Sequence, residues 1–246
     1  MISPSIGGLL TEMRRLSGEL SPARRAFHDT YLRTTEAVDQ ALAAGRFADP
    51  RWVERWDVAF ADLYLEALTI DLAGELPSMP WQAAFGAADG PRLPPLRLVL
   101  LGMNAHINYD LPQAICAVIS DDEWDDQALL DQRAMDHVRM DEILAERVAV
   151  EDRNLAEIEL PGDRMLLDRV LQPLNRLGTK RFLAESRAKV WRNAEILGRA
   201  RRKGTEREVL ARLEELSTRR VEDLTRPGQV ILELAVRGFG VSLEER

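Results

Sequence analysis

The 246-residue sequence contains a single cysteine and only three histidines. One thiol cannot form a disulfide within the chain, and it cannot build a zinc site from cysteines. Cys116 lies in an apolar run at residues 114–119, so we interpret it as a small buried residue rather than a nucleophile. The scarcity of cysteine agrees with a reducing compartment, and the expected location is cytoplasmic.

The chain also has no basic excess and no long uninterrupted apolar run, and we expect no secretion signal. Its 33 Lys and Arg face 41 Asp and Glu, and the resulting net charge of -8 disfavours a nucleic-acid surface. No basic segment leads into an apolar one at the N-terminus. The most apolar stretch, residues 96–119, carries polar groups and a charge at its centre, and a charge there costs at least ~2.5 kcal/mol in a bilayer. We expect neither a nucleic acid nor a membrane as partner.

Helix signals run through nearly the whole sequence, and hairpin signals do not occur. Capping side chains followed by proline predict helix starts at Ser21 and Asp49. The sequence predicts an all-α fold, an irregular helical bundle of about eight to ten helices around a buried central helix, in one domain over residues 1–246. Residues 1–20 and 205–246 are candidates for peripheral helices.

Proline and glycine residues mark the expected ends of the helices. The buried central helix is expected at about residues 95–120, and an acidic loop follows it. A break is expected at Pro161-Gly162, and Thr205 with Glu208 predicts a capping box. The other expected helices cover residues 21–45, 49–74, 81–88, 163–177, 179–203 and 205–224. A further helix is expected to run through residue 135 to about residue 153, and a short last helix ends near residue 238.

The central helix carries an unusual set of polar residues within GMNAHINYDLP, residues 102–112. His106 and Asp110 are four residues apart and project from one side, whereas Asn104 and Asn108 project from nearly the opposite side. An unpaired buried polar group costs ~1–3 kcal/mol, so these groups need partners. The alternatives are a hydrogen-bond network that fixes helix register and a site that binds a metal or ligand.

Two further features concern the backbone of this segment and the side chains expected around it. Pro112 lacks the amide that would bond to the carbonyl of Asn108, which predicts a kink there. Tyr109 and Tyr64, together with tryptophans, are expected to line a pocket beside the polar pair.

A second pair, His137 and Asp141, has the same spacing. Together with His106 and Asp110 it could supply two nitrogens and two oxygens, which suits zinc, iron or manganese. The alternative for His137 is a partly exposed histidine paired with a nearby acid, and a protein without any metal also stays open.

Asp57 falls on the apolar face of its helix, where a carboxylate needs a partner. An arginine salt bridge, a further metal ligand and a general base with a raised pKa are the three interpretations.

Three functions follow from these residues. The first is a metal-assisted enzyme in which a metal-bound water attacks an ester or phosphoester. The second is a metal-free acid–base enzyme that tailors or cyclises a small apolar metabolite. The third is a non-catalytic helical binding module. For an enzyme, the candidate catalytic residues are His106, Asp110, Asp57, Asn108 and Tyr109, and the expected partner is a small molecule. The sequence contains no phosphate loop and no G-x-S-x-G or H-E-x-x-H motif. It leaves the oligomeric state open.

Several segments resemble a family of bacterial proteins known only as a domain of unknown function. They are GMNAHINYDLP, YLRTTEAVDQALAAGRFADP, WDVAFADLYLEAL, MDHVRMDEIL and VWRNAEIL. The resemblance implies an all-helical domain whose signature includes His106, Asn108 and Asp110, and it implies no activity.

A weaker likeness concerns the zinc-dependent phospholipase C and P1-type nuclease superfamily. His106-x-x-x-Asp110 followed by leucine and proline is similar to one of its ligand helices, and His137-x-x-x-Asp141 is comparable with another. Those enzymes use more histidines than the three present here, so the likeness implies at most a one- or two-metal site.

Overall fold

The structure is a computed structural model that describes residues 5–90, 93–158, 166–226 and 238–243, with side chains for all of these except 141 and 144–184. Every regular element in that part of the chain is helical, which confirms the all-α prediction. The α-helices are α1 (Ile6–Ser17), α2 (Pro22–Ala43), α3 (Pro50–Leu72), α4 (Met79–Asp89), α5 (Pro95–Ala105), α6 (Leu111–Val118), α7 (Gln127–Ile158), α8 (Leu166–Lys203) and α9 (Glu206–Thr225).

The starts of α2 and α3 follow directly from the sequence. The side chains of Ser21 and Asp49 accept hydrogen bonds from the amides three residues further on, at 3.3 and 3.0 Å. Each is followed by a proline at the first helical position, where the missing amide costs no hydrogen bond. These two helices carry most of the aromatic side chains that surround the candidate site.

One continuous helical path forms the centre of the bundle. A π-helical turn, His106–Asp110, joins α5 to α6, and the amide of Leu111 bonds to the carbonyl of His106 five residues earlier. α5 packs on α2, α4 and α9, and α6 packs on α3 and α8. The buried central helix is confirmed. The expected kink before Pro112 takes the form of this π-helical turn, since the wider turn accommodates a residue without an amide.

Gly102 brings α5 unusually close to α2. A Cβ added at this position would lie 2.3 Å from the ring of Phe27. Only a glycine therefore permits this ring to lie against α5, one turn before His106.

Two local predictions are wrong. Residues 163–177 and 179–203 were expected as separate helices, but α8 runs without a break from Leu166 to Lys203. A glycine inside a helix costs only ~1 kcal/mol, which the helix formers on both sides of Gly178 offset. The capping box at Thr205 is also absent. Its backbone lies outside the extended region, and its hydroxyl lies 3.5 Å from the carbonyl of Ala200 instead.

Other sequence predictions agree with the structure or fall outside it. Helix α7 contains the helix expected through residue 135 to about residue 153 and continues to Ile158, and the acidic loop before it contains the 3-10 turn Glu123–Asp125. The predicted break at Pro161-Gly162 and the last helix after residue 228 lie outside the described residues.

The first and last of the described helices contribute to the same core. Leu9 and Met13 of α1 and Leu213 and Val221 of α9 are completely buried. Cys116 is buried and free, as expected for a small core residue. Among the helices described, none is long and apolar enough to cross a membrane.

Candidate functional site

The π-helical turn brings His106 and Asp110 into direct contact. Nδ1 of His106 lies 2.8 Å from Oδ2 of Asp110, and both residues are only 2% exposed. The indole N–H of Trp81, on α4, donates to the same carboxyl oxygen at 2.9 Å. The predicted pair is confirmed as a contact, and Trp81 holds its carboxyl group from a second helix.

Aromatic rings surround the imidazole of His106. Phe60 stacks face to face on it, with ring centroids 3.5 Å apart and planes 5° apart. Tyr31 meets it edge-on at 4.5 Å. Three more rings lie at 5.9 to 6.0 Å, those of Phe27, Tyr64 and Trp81. Within the part of the chain described, Nε2 of His106 is buried and has no hydrogen-bond partner.

Burial decides the charge of this pair. It lowers the pKa of His106 well below its ordinary value and raises the pKa of Asp110 well above its ordinary value, although the indole N–H of Trp81 opposes the second effect. A pair with no net charge is therefore favoured over a buried anion. The neutral pair holds two protons. One lies between Nδ1 of His106 and Oδ2 of Asp110, and the other lies on Nε2 of His106. The pair presents a buried N–H donor at Nε2.

Asp57 is a second buried carboxyl group. It is 5% exposed, and among the described residues its Oδ2 has no hydrogen-bond partner and no arginine pairs with it. Burial, followed by the charge of Asp39, raises its pKa to about 7. No arginine salt bridge to Asp57 occurs among the described residues, whereas burial gives this carboxyl group the raised pKa expected of a general base.

Tyr31 links the two carboxyl groups electrostatically. Burial raises the pKa of its phenol well above the ordinary value, and the charges of Asp57 and Asp110 raise it further. Both carboxyl groups therefore lie close enough to act on one phenol, which stays neutral.

Asn108 faces away from this cluster, as its spacing predicts. Its amide nitrogen donates to Oδ1 of Asn104 at 2.8 Å and to the carbonyl of Phe239 at 3.0 Å, and its oxygen accepts from the amide of Val241 at 3.1 Å. Asn193 of α8 binds the same C-terminal segment through the carbonyl of Val241 and an amide two residues on. The asparagine side of the central helix thus fixes residues 238–243.

Tyr109 does not reach the histidine. It is half-buried beside α9, and burial, followed by the charges of Glu214 and Asp110, raises its pKa. Successive residues of a helix point about 100° apart, so Tyr109 and Asp110 diverge. The rings of Tyr64 and His106 lie 5.9 Å apart, whereas among the described residues no ring contact joins Tyr109 to His106. That these tyrosines line a pocket stays a prediction.

His137 lies in a different part of the core. Its ring lies between Trp56 and Trp191, at centroid distances of 5.3 and 5.6 Å. It is 2% exposed rather than partly exposed, and burial, followed by the charge of Arg187, lowers its pKa well below the ordinary value. The side chain of Asp141 lies outside the described residues.

No group of three or more His, Cys, Asp or Glu side chains that could hold a metal ion occurs among the residues described. The ring neighbours of His106 and of His137 are also different residues. The structure thus joins His106 to Asp110 and does not show the full set of four proposed ligands together.

Sequence reasoning missed three residues of the site. Tryptophans were expected beside the polar pair without Trp81 being singled out, and Phe60 was not among the candidate residues. His28 is the third buried histidine, with Nδ1 2.8 Å from the hydroxyl of Tyr64 and Nε2 2.8 Å from the carbonyl of Met13. A buried tryptophan normally needs an acceptor for its N–H. This requirement is the sequence signal that could have linked Trp81 to a buried carboxylate.

A family model described as "Family of unknown function (DUF5995)" matches residues 6–227. The chain belongs to this family. The match confirms the resemblance carried by GMNAHINYDLP and includes His106, Asp110 and Trp81, whereas residues 238–243 lie beyond it. No curated protein and no solved structure matches the chain. The likeness to zinc-dependent phospholipase C and P1-type nucleases is not shown by any comparison.

Proposed function

We propose that this DUF5995 protein is a metal-free enzyme that isomerises or cyclises a small apolar molecule by acid–base catalysis. The observation that carries the proposal is Nε2 of His106, a buried donor without a described partner, in a pair that burial keeps neutral. Buried polar atoms are normally paired, and exceptions concentrate where a ligand binds or chemistry occurs.

His106 and Asp110 act together as the acid. Nε2–H donates its proton to an oxygen of the substrate, and the proton between Asp110 and Nδ1 moves fully onto Nδ1. The imidazole stays neutral, and the negative charge passes to the carboxylate, which the indole N–H of Trp81 stabilises. Trp81 is a positioning residue in this account, because it touches Asp110 rather than the substrate.

Asp57 is the base. A carboxyl group with a pKa of about 7 is partly ionised at neutral pH and is a stronger base than an ordinary aspartate. It takes a proton from a carbon of the substrate while His106 protonates the oxygen, and reversal of the two transfers at other atoms completes an isomerisation. No proton is consumed overall, so the reaction needs no co-substrate.

The surroundings suit a small apolar substrate. Five aromatic rings enclose the imidazole and no charged side chain other than the two carboxyl groups is part of the cluster described. An aromatic wall with few polar groups is typical of sites for small apolar ligands. Metal-assisted ester hydrolysis has less support, because the described residues offer no three-ligand cluster.

Deuterium exchange tests the proposal without knowledge of the substrate. The protein is incubated in D2O with a panel of small enolisable aldehydes, ketones and unsaturated lactones, and deuterium gain at carbon is measured by mass spectrometry. The wild-type chain should accelerate exchange in at least one compound, and Asp57→Asn and Asp110→Asn should each lower the rate at least a hundredfold. Asp125→Asn, a change at an exposed salt bridge to Arg202, is the matched control.

Exchange that survives both buried substitutions, or no exchange above the Asp125→Asn and buffer rates with any compound, would contradict acid–base catalysis at this site.

A further inference from the structure

Phe60 covers one flat face of His106. Among the described rings it alone lies parallel to the imidazole, at 5°, whereas the planes of Tyr31, Phe27, Tyr64 and Trp81 are inclined by 53° to 79°. The cluster therefore has one flat slot against the imidazole, and a phenyl ring of the protein occupies it.

Phe60 is also the ring of this cluster that reaches solvent. It is half-buried, whereas the other four aromatic rings and His106 itself are each at most 7% exposed. An aromatic side chain at the solvent boundary can change its χ1 rotamer without movement of the helix backbone. Rotation of this one side chain would therefore open the slot, whereas the other four rings of the cluster are buried in the core.

We propose that Phe60 is a displaceable cover and that the substrate presents a planar aromatic or conjugated ring that takes its place on His106. This inference rests on the proposed function for the role of His106. The incoming ring makes the same face-to-face contact as Phe60 and meets the edge of Tyr31, a geometry that aromatic pairs favour. Asp57 lies one helical turn before Phe60 on α3, so the base is carried by the same helix as the cover.

The substrate class follows from the polar atoms beside the slot. Nε2–H of His106 points along the plane of the imidazole, so its acceptor is a carbonyl or hydroxyl oxygen on a side arm that leaves the plane of the stacked ring. A planar ring with one such oxygen fits, and a saturated ring of the same size does not, because it is too thick for a slot in which the ring centroids are 3.5 Å apart.

Cavity variants and a pair of matched probes test the inference. Phe60→Ala vacates the slot, and Phe60→Leu does so with less disturbance of the fold. Phenol is the planar probe and cyclohexanol is its saturated control. We expect both variants to bind phenol at least tenfold more tightly than cyclohexanol and more tightly than the wild type does. In spectra of 15N-histidine-labelled protein, phenol should shift His106 and leave His28 and His137 unchanged.

Phe85→Ala is the control for an unrelated cavity, because Phe85 stacks on Trp81 and has no ring contact with His106. Phenol added to this variant should leave the His106 signals unchanged.

Equal affinity for phenol and cyclohexanol in both variants, or no shift of the His106 signals on addition of phenol, overturns the inference. Its failure is distinguishable from failure of the proposed function. If the variants bind phenol selectively but the wild type catalyses no deuterium exchange, the role of Phe60 as a cover is supported and the acid–base reaction is rejected. If the wild type catalyses exchange but the variants do not bind phenol selectively, the acid–base reaction is supported and the role of Phe60 as a cover is rejected.

Discussion

The unusual property of this core at the scale of single residues is that it contains two carboxyl groups with raised pKa values. Asp110 has partners in His106 and Trp81, whereas Oδ2 of Asp57 has none among the described residues. Burying a carboxylate without a partner destabilises the folded state, so a protein retains such a group at a cost. That cost is the strongest argument for treating Asp57 as functional.

Asp57→Asn should therefore change how stability depends on pH. The pKa of Asp57 rises from 3.8 to about 7 on folding, so its stabilising effect is present below pH 4 and is lost as the pH rises through 7. Relative to the wild type, the variant should gain about 2–3 kcal/mol of unfolding free energy between pH 5 and pH 8.5, at ~1.4 kcal/mol per unit of pKa difference. Urea unfolding at the two pH values measures this gain. If the variant and the wild type differ in unfolding free energy by the same amount at both pH values, Asp57 is not buried as an isolated acid.

Trp81→Phe should remove the indole hydrogen bond to Asp110 and keep an aromatic ring in place. Because that N–H lowers the pKa of Asp110, the pKa should rise further in the variant. The unfolding free energy should fall by about 1–3 kcal/mol, as for loss of a buried hydrogen bond to a carboxyl group. Trp124→Phe is the control, since the indole nitrogen of Trp124 has no partner among the described residues. Chemical denaturation of both variants checks the prediction, and an equal loss in the two would contradict it.

At the scale of helices, the sequence predicted what depends on neighbours along the chain. The caps at Ser21 and Asp49 and the i,i+4 contact of His106 with Asp110 are local, and all are confirmed. Contacts between distant residues were not predictable. Trp81 meets Asp110 across 29 residues and Asn108 meets Val241 across 133, and no periodicity in a single sequence specifies which helices become neighbours. The aromatic enclosure of His106 is a result of such contacts.

The close approach of α5 to α2 gives a test at this scale. Gly102→Ala should lower the unfolding free energy by about 1–3 kcal/mol, because the new methyl group displaces the ring of Phe27, which lies against His106. Gly86→Ala, in α4, is the matched control. No atom lies within 4 Å of a Cβ there, so the substitution should stabilise the protein by up to ~1 kcal/mol through helix propensity. Thermal and urea unfolding of both variants measure the contrast, and a neutral Gly102→Ala would show that the two helices are not in close contact.

The whole molecule is a helical core in which the two sides of the central helix have different tasks. The asparagine side holds the C-terminal segment 238–243, and the histidine side faces the aromatic cluster. Polar residues that the sequence grouped into one signature are thus divided between a structural network and a candidate site. Their division explains why neither a purely structural nor a purely functional interpretation of GMNAHINYDLP accounts for all of its polar residues.

Chelation tests the metal-free reaction for the molecule as a whole. A metal ion bound to the folded state would raise its stability by linkage, so its removal would lower Tm. We expect prolonged treatment with EDTA or phenanthroline to leave Tm and the deuterium-exchange rate unchanged. Elemental analysis of untagged protein, with Asp110→Ala beside it, is the companion measurement. Stoichiometric zinc, iron or manganese that disappears in the variant would restore the metal hypothesis.

The state of the His106 ring nitrogens tests the central claim most directly. The chain has only three histidines, so the 15N spectrum of histidine-labelled protein is simple, and His28→Asn and His137→Asn assign it. We predict a neutral His106 from pH 5 to 8, with a proton on Nε2 and with Nδ1 in a strong hydrogen bond that Asp110→Ala abolishes. An imidazolium at neutral pH, an unprotonated Nε2 or an ordinary titration near pH 6.5 would contradict the account.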